Sequence, residues 1–244
     1  TSPFAFTGNK FEFRMVGSKD SGGEPNTVLN TIVAEAFCEA CDYIEAAENK
    51  DMAIHDLIER YFMEHERIVF DGNGYSEEWV AEAARRGLPN LQTMVDAIPA
   101  LTTEKAVALF EKFGVFTRAE LESRAEIQYE TYAKVINIEA KSMIDIASKQ
   151  LIPTVIKYTR TLADTVIAVK ECGIDASVQT DLLKETTELL TEAKAALAKL
   201  IELDAKGANL PRGEKQAKFF HSETPIGPFH TTVPLFAIFL EKSS

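Results

Sequence analysis

The residues best suited to chemistry lie near the start of the sequence, in the segment Lys10-Phe11-Glu12-Phe13-Arg14. Charged and aromatic residues alternate here. On a β-strand this places Lys10, Glu12 and Arg14 on one face, with roughly 7 Å between neighbours. A carboxylate suits a hard divalent cation, and a guanidinium suits a phosphoryl group on which negative charge develops. The triplet therefore fits a site that handles the metal-bound phosphates of a nucleotide.

A structural role explains the same alternation. Charges that alternate along a solvent-facing strand commonly form ion pairs with a neighbouring strand and take no part in chemistry. The spacing alone does not decide between these two interpretations.

The element that must position the triplet is a strand, which the period-two pattern predicts over 3–16, with the aromatic side chains facing a core. A turn-rich stretch separates it from a helix predicted over about 27–49, with Asn26 as its N-cap. Apolar residues recur along this helix at helical spacing and predict one wide buried face: Val28, Leu29, Ile32, Val33, Ala36, Phe37, Ala40, Cys41 and Ile44.

The rest of the chain is predicted to be helical. The predicted ranges are about 51–69, 76–87, 90–99, 103–113, 117–170 with a kink at Pro153, and 175–205. In the last helix, leucines at intervals of seven (Leu183, Leu190, Leu197), beside Leu182, Leu189 and Ala196, indicate packing on the preceding helix. The predicted fold class is α+β and predominantly α-helical.

Three regions are predicted from these patterns: 1–116, a helical hairpin or bundle over 117–206, and an irregular tail over 207–244. The tail is predicted from its prolines, since Pro225, Pro228 and Pro234 forbid a continuous helix through 225–234. Its apolar segment 235–240 leaves open a buried strand or helix end there.

Composition excludes several functional classes. The 244 residues carry a net charge of −12, which disfavours nucleic acid and polybasic membrane anchoring, and no apolar run approaches a membrane span. Three cysteines favour reduced thiols and a cytoplasmic location. Cys38 and Cys41 form a CxxC inside a predicted helix without a second pair, so they are predicted to be small buried apolar residues.

The opening TSPFAFTGNKFEFRMVGS, followed by PNTVLNTIVAEAF, resembles the segment late in the catalytic domain of type III glutamine synthetases. The family pattern is a basic residue, an apolar residue, Glu, an apolar residue and Arg, and residues 10–14 match it position by position. The common type of the family has Arg where Lys10 stands. The resemblance weakens after residue 113, continues as a helical C-terminal extension and thins out near Phe220.

The resemblance implies the end of a catalytic domain over 1–116 and an ATP-dependent ligation of ammonia to glutamate. It implies that Glu12 binds the Mg²⁺ or Mn²⁺ associated with ATP, that Arg14 contacts glutamate and the transferred phosphoryl group, and that Lys10 assists the nucleotide phosphates. The remaining metal ligands of such enzymes come from earlier strands, so the isolated polypeptide is expected to be inactive.

The resemblance also implies a large homo-oligomer, a dodecamer of two hexameric rings, in which the helical extension shapes contacts between subunits. The alternative is a non-catalytic helical interaction or assembly module. The heptad-like leucine spacing of the last long helix supports that alternative.

Overall fold

The computed structural model describes residues 4–6, 11–13, 21–74 and 76–224. This part of the chain is predominantly α-helical, as predicted. Two three-residue strands, β1 (Phe4–Phe6) and β2 (Phe11–Phe13), pair antiparallel. The rest of the strand predicted over 3–16 lies outside the described residues.

The helices follow in sequence order, with two 3₁₀ turns and one π turn between them. They are α1 (Gly23–Glu45), α2 (Lys50–His65), a 3₁₀ turn (Glu66–Ile68), α3 (Glu77–Arg85), α4 (Met94–Ala97), a 3₁₀ turn (Ile98–Thr102), α5 (Glu104–Lys112), α6 (Arg118–Ile146), a π turn (Ala147–Leu151), α7 (Ile152–Glu171), α8 (Ser177–Ala208) and α9 (Glu214–Glu223). None of these helices is both long and apolar enough to cross a bilayer.

Side-chain caps fix where several helices begin. Asn49, Ser76 and Thr103 each accept a hydrogen bond from the backbone N–H three residues later, at 3.2–3.3 Å. The predicted start of α1 is wrong, because the helix begins at Gly23 and Asn26 lies within it. Pro25 occupies the first turn of α1, where its missing N–H costs no helical hydrogen bond.

The prediction of a single helix over 90–99 is also wrong. Only Met94–Ala97 is α-helical, and the chain then tightens into the 3₁₀ turn Ile98–Thr102. Pro99 lies at the start of that turn and has no N–H to continue an α-helical ladder. The turn nevertheless buries Ile98 and Leu101 almost completely.

The chain divides into two compact units, whose described parts meet in sequence at Gln128 and Tyr129, within α6. The boundary predicted at 116/117, between the end of a catalytic domain and a helical extension, lies just before α6 and stays a prediction. The core of the first unit joins α1, the second 3₁₀ turn, α5 and the start of α6, through Val28, Leu101, Ala106, Val107, Phe110 and Leu121. This core fixes where α1 lies relative to α5.

In the second unit, α7 and α8 pack together after a turn in which Gly173 adopts a φ of 72°. Leu162 and Val166 of α7 are buried, as are Leu197 and Leu200 of α8. The kink predicted at Pro153 takes the form of the π turn that ends two residues before it. Pro153 lacks the N–H that an α-helical hydrogen bond would require at that position.

Helix α9 lies inside the stretch predicted to be an irregular tail. The flanking prolines, Pro211 and Pro225, fall outside the helix and therefore do not interrupt it. Phe220 of α9 is fully buried, and Gln216 donates a hydrogen bond to the Gly207 carbonyl at 3.0 Å. The tail from 225 to 244 lies outside the described residues.

Candidate functional site

The three residues predicted to carry the chemistry are only partly described. Glu12 is the central residue of β2 and pairs with Ala5 of β1. Lys10 and Arg14, the residues predicted to bind phosphate groups, lie outside the described residues. The backbone therefore places Glu12 in a strand. That Lys10, Glu12 and Arg14 share one face of this strand stays a prediction.

A second region with charged side chains is a groove of about 710 Å³ between α1, α2 and α5. Lys112 of α5 donates to Glu35 of α1 at 2.6 Å, and this hydrogen bond is the main reason that the pKa of Lys112 is raised. Burial lowers the pKa of Lys105, and the charge of Glu39 opposes that shift. Each lysine of the groove thus faces a carboxylate of α1.

Helix α2 supplies the third wall of this groove. The Arg60 guanidinium carbon lies 4.6 Å from the centroid of the Tyr43 ring, and its Nε lies 3.9 Å from a Glu64 oxygen. The Tyr61 hydroxyl is buried and has no hydrogen-bond partner within the described part of the chain. Because the cations face carboxylates, the groove does not present the excess positive charge that a phosphate site requires.

This groove was not predicted from the sequence. Glu35 and Glu39 are four residues apart on one helix, and Lys105 and Lys112 are seven apart on another, so each pair shares a helix face. That spacing can be recognised in the sequence. It does not reveal that the two faces lie opposite each other.

The predicted burial of Cys38 and Cys41 is wrong. Cys38, Cys41 and Cys172 are free thiols and all three are exposed. The buried residues of α1 all lie at or before Thr31, so Cys38 and Cys41 follow the part of the helix that the core covers. No group of three or more potential metal ligands occurs among the residues that the structure describes.

Comparisons with known proteins cover almost the whole chain. The family model for the glutamine synthetase C-terminal domain matches residues 53–170. A type-3 glutamine synthetase from Dictyostelium discoideum is 36% identical over 241 residues, which is 94% of this chain and 31% of that protein. A glutamine synthetase from Butyrivibrio fibrisolvens is 32% identical over 227 residues, or 91% of this chain and 32% of that protein.

A glutamine synthetase from Bacteroides fragilis (strain YCH46) is 31% identical over 234 residues, covering 92% of this chain and 32% of that protein. The chain spans about a third of the length of the curated relatives that it matches. Helix α1 and both strands lie before the region that the C-terminal domain model matches.

Proposed function

Because this chain belongs to the glutamine synthetase family, as the C-terminal part of its type III members, we propose that it supplies one edge of a ligase active site. The proposed reaction is the ATP-dependent ligation of ammonia to glutamate. The observation that carries the proposal is similarity over 94% of the chain to a type-3 glutamine synthetase, together with the family pattern at Lys10, Glu12 and Arg14.

We propose that β1 and β2 belong to the catalytic sheet of the complete enzyme. A two-stranded sheet of three-residue strands is marginally stable by itself, and further strands beside it would complete its backbone pairing. In such a sheet Glu12 would present its carboxylate from a fixed backbone position. A rigid strand holds a ligand more exactly than a loop.

The chemistry of Glu12 fits Mg²⁺ or Mn²⁺ as one ligand among several. A hard divalent cation takes several oxygen ligands, and Glu12 is the one carboxylate that the family pattern assigns to it in this chain. When bound, the ion would offset the charge of the ATP phosphates. The isolated chain is therefore proposed to be inactive, because the other ligands would come from the rest of the enzyme.

Arg14 and Lys10 would act on the substrates. The glutamate side-chain carboxylate attacks the terminal phosphorus of ATP and ADP leaves. Ammonia then attacks the γ-glutamyl phosphate carbonyl, phosphate leaves, and a proton is released. The guanidinium of Arg14 would bind the glutamate carboxylate and the phosphoryl oxygens as negative charge develops on them, while Lys10 would contact the nucleotide phosphates.

Substitution in the complete enzyme tests these roles. Glu12→Ala should weaken the binding of Mg²⁺ or Mn²⁺, so that a higher metal concentration is needed for the half-maximal rate, and should remove most ligase activity, because it deletes a metal ligand. Arg14→Ala should mainly lower kcat, since its contact with the phosphoryl group strengthens in the transition state. Steady-state rates across a metal titration separate the two effects.

Glu122→Ala serves as a matched control, because Glu122 is an exposed carboxylate of α6. Its rates and metal dependence should equal those of the parent enzyme. Normal activity and normal metal dependence in the Glu12→Ala enzyme would show that the assignment of Glu12 is wrong.

A non-catalytic assembly role is a second candidate function. Val178, Leu182 and Leu189 of α8 are exposed, with 67%, 42% and 58% of their surface accessible, and their spacing puts them on one side of the helix. This row is available to a partner. We propose that it contributes to subunit contacts in the homo-oligomer, a dodecamer of two hexameric rings by family resemblance, and the cytoplasm is its proposed location.

A further inference from the structure

The exposed apolar side chains of the first unit are concentrated in one part of it. Eleven large apolar residues between 33 and 70 are exposed, whereas between 71 and 128 the described residues expose only Val80 and Ile127. The most exposed are Met63 at 71%, Phe62 at 68% and Phe37 at 65%. Helices α1 and α2 therefore carry most of the apolar surface that water would contact.

These residues form rows along the helices. Ile54, Ile58 and Phe62 of α2 are spaced by four, as are Val33, Phe37 and Cys41 of α1, so each set lies along one side of its helix. The buried residues of α2, Ala53 and Leu57, occupy the next row around the helix. The apolar rows of α1 and α2 (Val33, Phe37, Cys41, Ile54, Ile58 and Phe62) are thus additional to the faces that pack within the unit.

We infer that the apolar rows of α1 and α2 form an interface with the part of the family protein that precedes this chain. The relatives are about three times as long as the aligned region, so about two thirds of each relative lies outside the part that this chain matches. Helix α1 also lies outside the C-terminal domain match, which begins at Ala53 in α2. The inference goes beyond the proposed catalysis. It depends on the family membership of the chain and on its exposed apolar rows, and it does not depend on the ligase reaction.

The chemistry of the rows favours a permanent intramolecular partner. Apolar surface dominates obligate interfaces, whereas transient ones are more polar. A covalently attached partner is present at high effective concentration and keeps such surface from water. The ion pairs Lys112–Glu35 and Arg60–Glu64 line the neighbouring groove and are not part of the apolar rows.

Photo-crosslinking in the full-length protein tests the inference. Phe62→p-benzoylphenylalanine, after irradiation and peptide mass spectrometry, should link to a residue upstream of Thr1 in the same polypeptide. Val80→p-benzoylphenylalanine is the matched control, because Val80 is exposed in the same unit but lies outside the rows. It should give no upstream link.

Four outcomes would overturn the inference: a link from Phe62 to a second copy, a link confined to residues 1–244, no link, or an equal upstream link from Val80. A thermal melt of the full-length protein provides an independent readout, since Phe62→Ser should lower Tm and Val80→Ser should not. Equal Tm values for the Phe62→Ser and Val80→Ser proteins would also contradict the inference. The ligase activity of the parent protein is measured in a separate assay. An absence of ligase activity would contradict the proposed catalysis, whereas the crosslinks would still test the interface.

Discussion

At the scale of single residues, Glu82 shows how local charge sets a pKa. The Arg85 Nε donates to one oxygen of Glu82 at 2.7 Å, and the Arg86 Nε donates to the other at 2.6 Å. These hydrogen bonds lower the pKa of Glu82 from 4.5 to about 2. Arg86 also donates to the Val69 carbonyl at 2.7 Å, so the cluster ties α3 to the preceding loop.

The first prediction concerns the titration of this carboxylate. Because its pKa in the folded state is depressed, its contribution to stability is present above the unfolded pKa near 4.5 and is lost as pH falls toward 2. An NMR titration of the Glu82 side chain should give a midpoint near 2. In the Arg85→Gln/Arg86→Gln protein the midpoint should rise toward 4.5, and a midpoint near 4.5 in the parent would contradict the structure.

At the scale of elements, the contact between α8 and α9 depends on the absence of a side chain at Gly207. A Cβ atom added there would lie 2.5 Å from the ring of Phe220, which is fully buried. Glycine thus lets the two helices approach, and Phe220 fills the space that it leaves.

The second prediction follows from this approach. Gly207→Ala should destabilise the protein by about 1–3 kcal/mol, because overpacking outweighs the gain in helix propensity of roughly 0.5–1 kcal/mol. Urea denaturation followed by circular dichroism measures the change. In a Phe220→Leu background, Gly207→Ala should lower the free energy of unfolding much less. An equal loss in both backgrounds would show that the strain does not arise from contact with Phe220.

At the scale of the whole molecule, α8 carries two adjacent apolar rows with different surroundings. Leu183 and Leu190 are half-buried and Leu197 is buried, while Leu182 and Leu189 are exposed. The heptad spacing of the sequence assigned both rows to packing against the preceding helix. The structure uses one row for that purpose and leaves the other open to a partner.

The third prediction concerns assembly of the full-length protein. Leu182→Gln/Leu189→Gln should reduce the oligomer mass measured by light scattering, because it removes the exposed apolar row. Lys184→Gln/Glu188→Gln, on exposed positions of the same helix, should leave the mass unchanged. An unchanged mass in the leucine variant would exclude this row from subunit contacts. Substitution is preferable to deletion of 117–206, because Leu121 in that stretch belongs to the core of the first unit.

The sequence by itself carried the resemblance to the glutamine synthetases, through the opening TSPFAFTGNKFEFRMVGS and the following PNTVLNTIVAEAF, and it predicted the helical character of most of the chain. It also determined several helix starts, because a cap such as Ser76 acts on an N–H three residues away. Such signals are local, so they can be read without knowing the fold.

Tertiary structure alone decided which apolar residues are buried. Val28 is buried and Phe37 is exposed on the same predicted face of α1, because the core around Phe110 reaches only the first turns of that helix. It also decided that Glu35 meets Lys112, across 77 positions of sequence. Spacing fixes which side of a helix a residue occupies, but burial and pairing depend on what packs against that side.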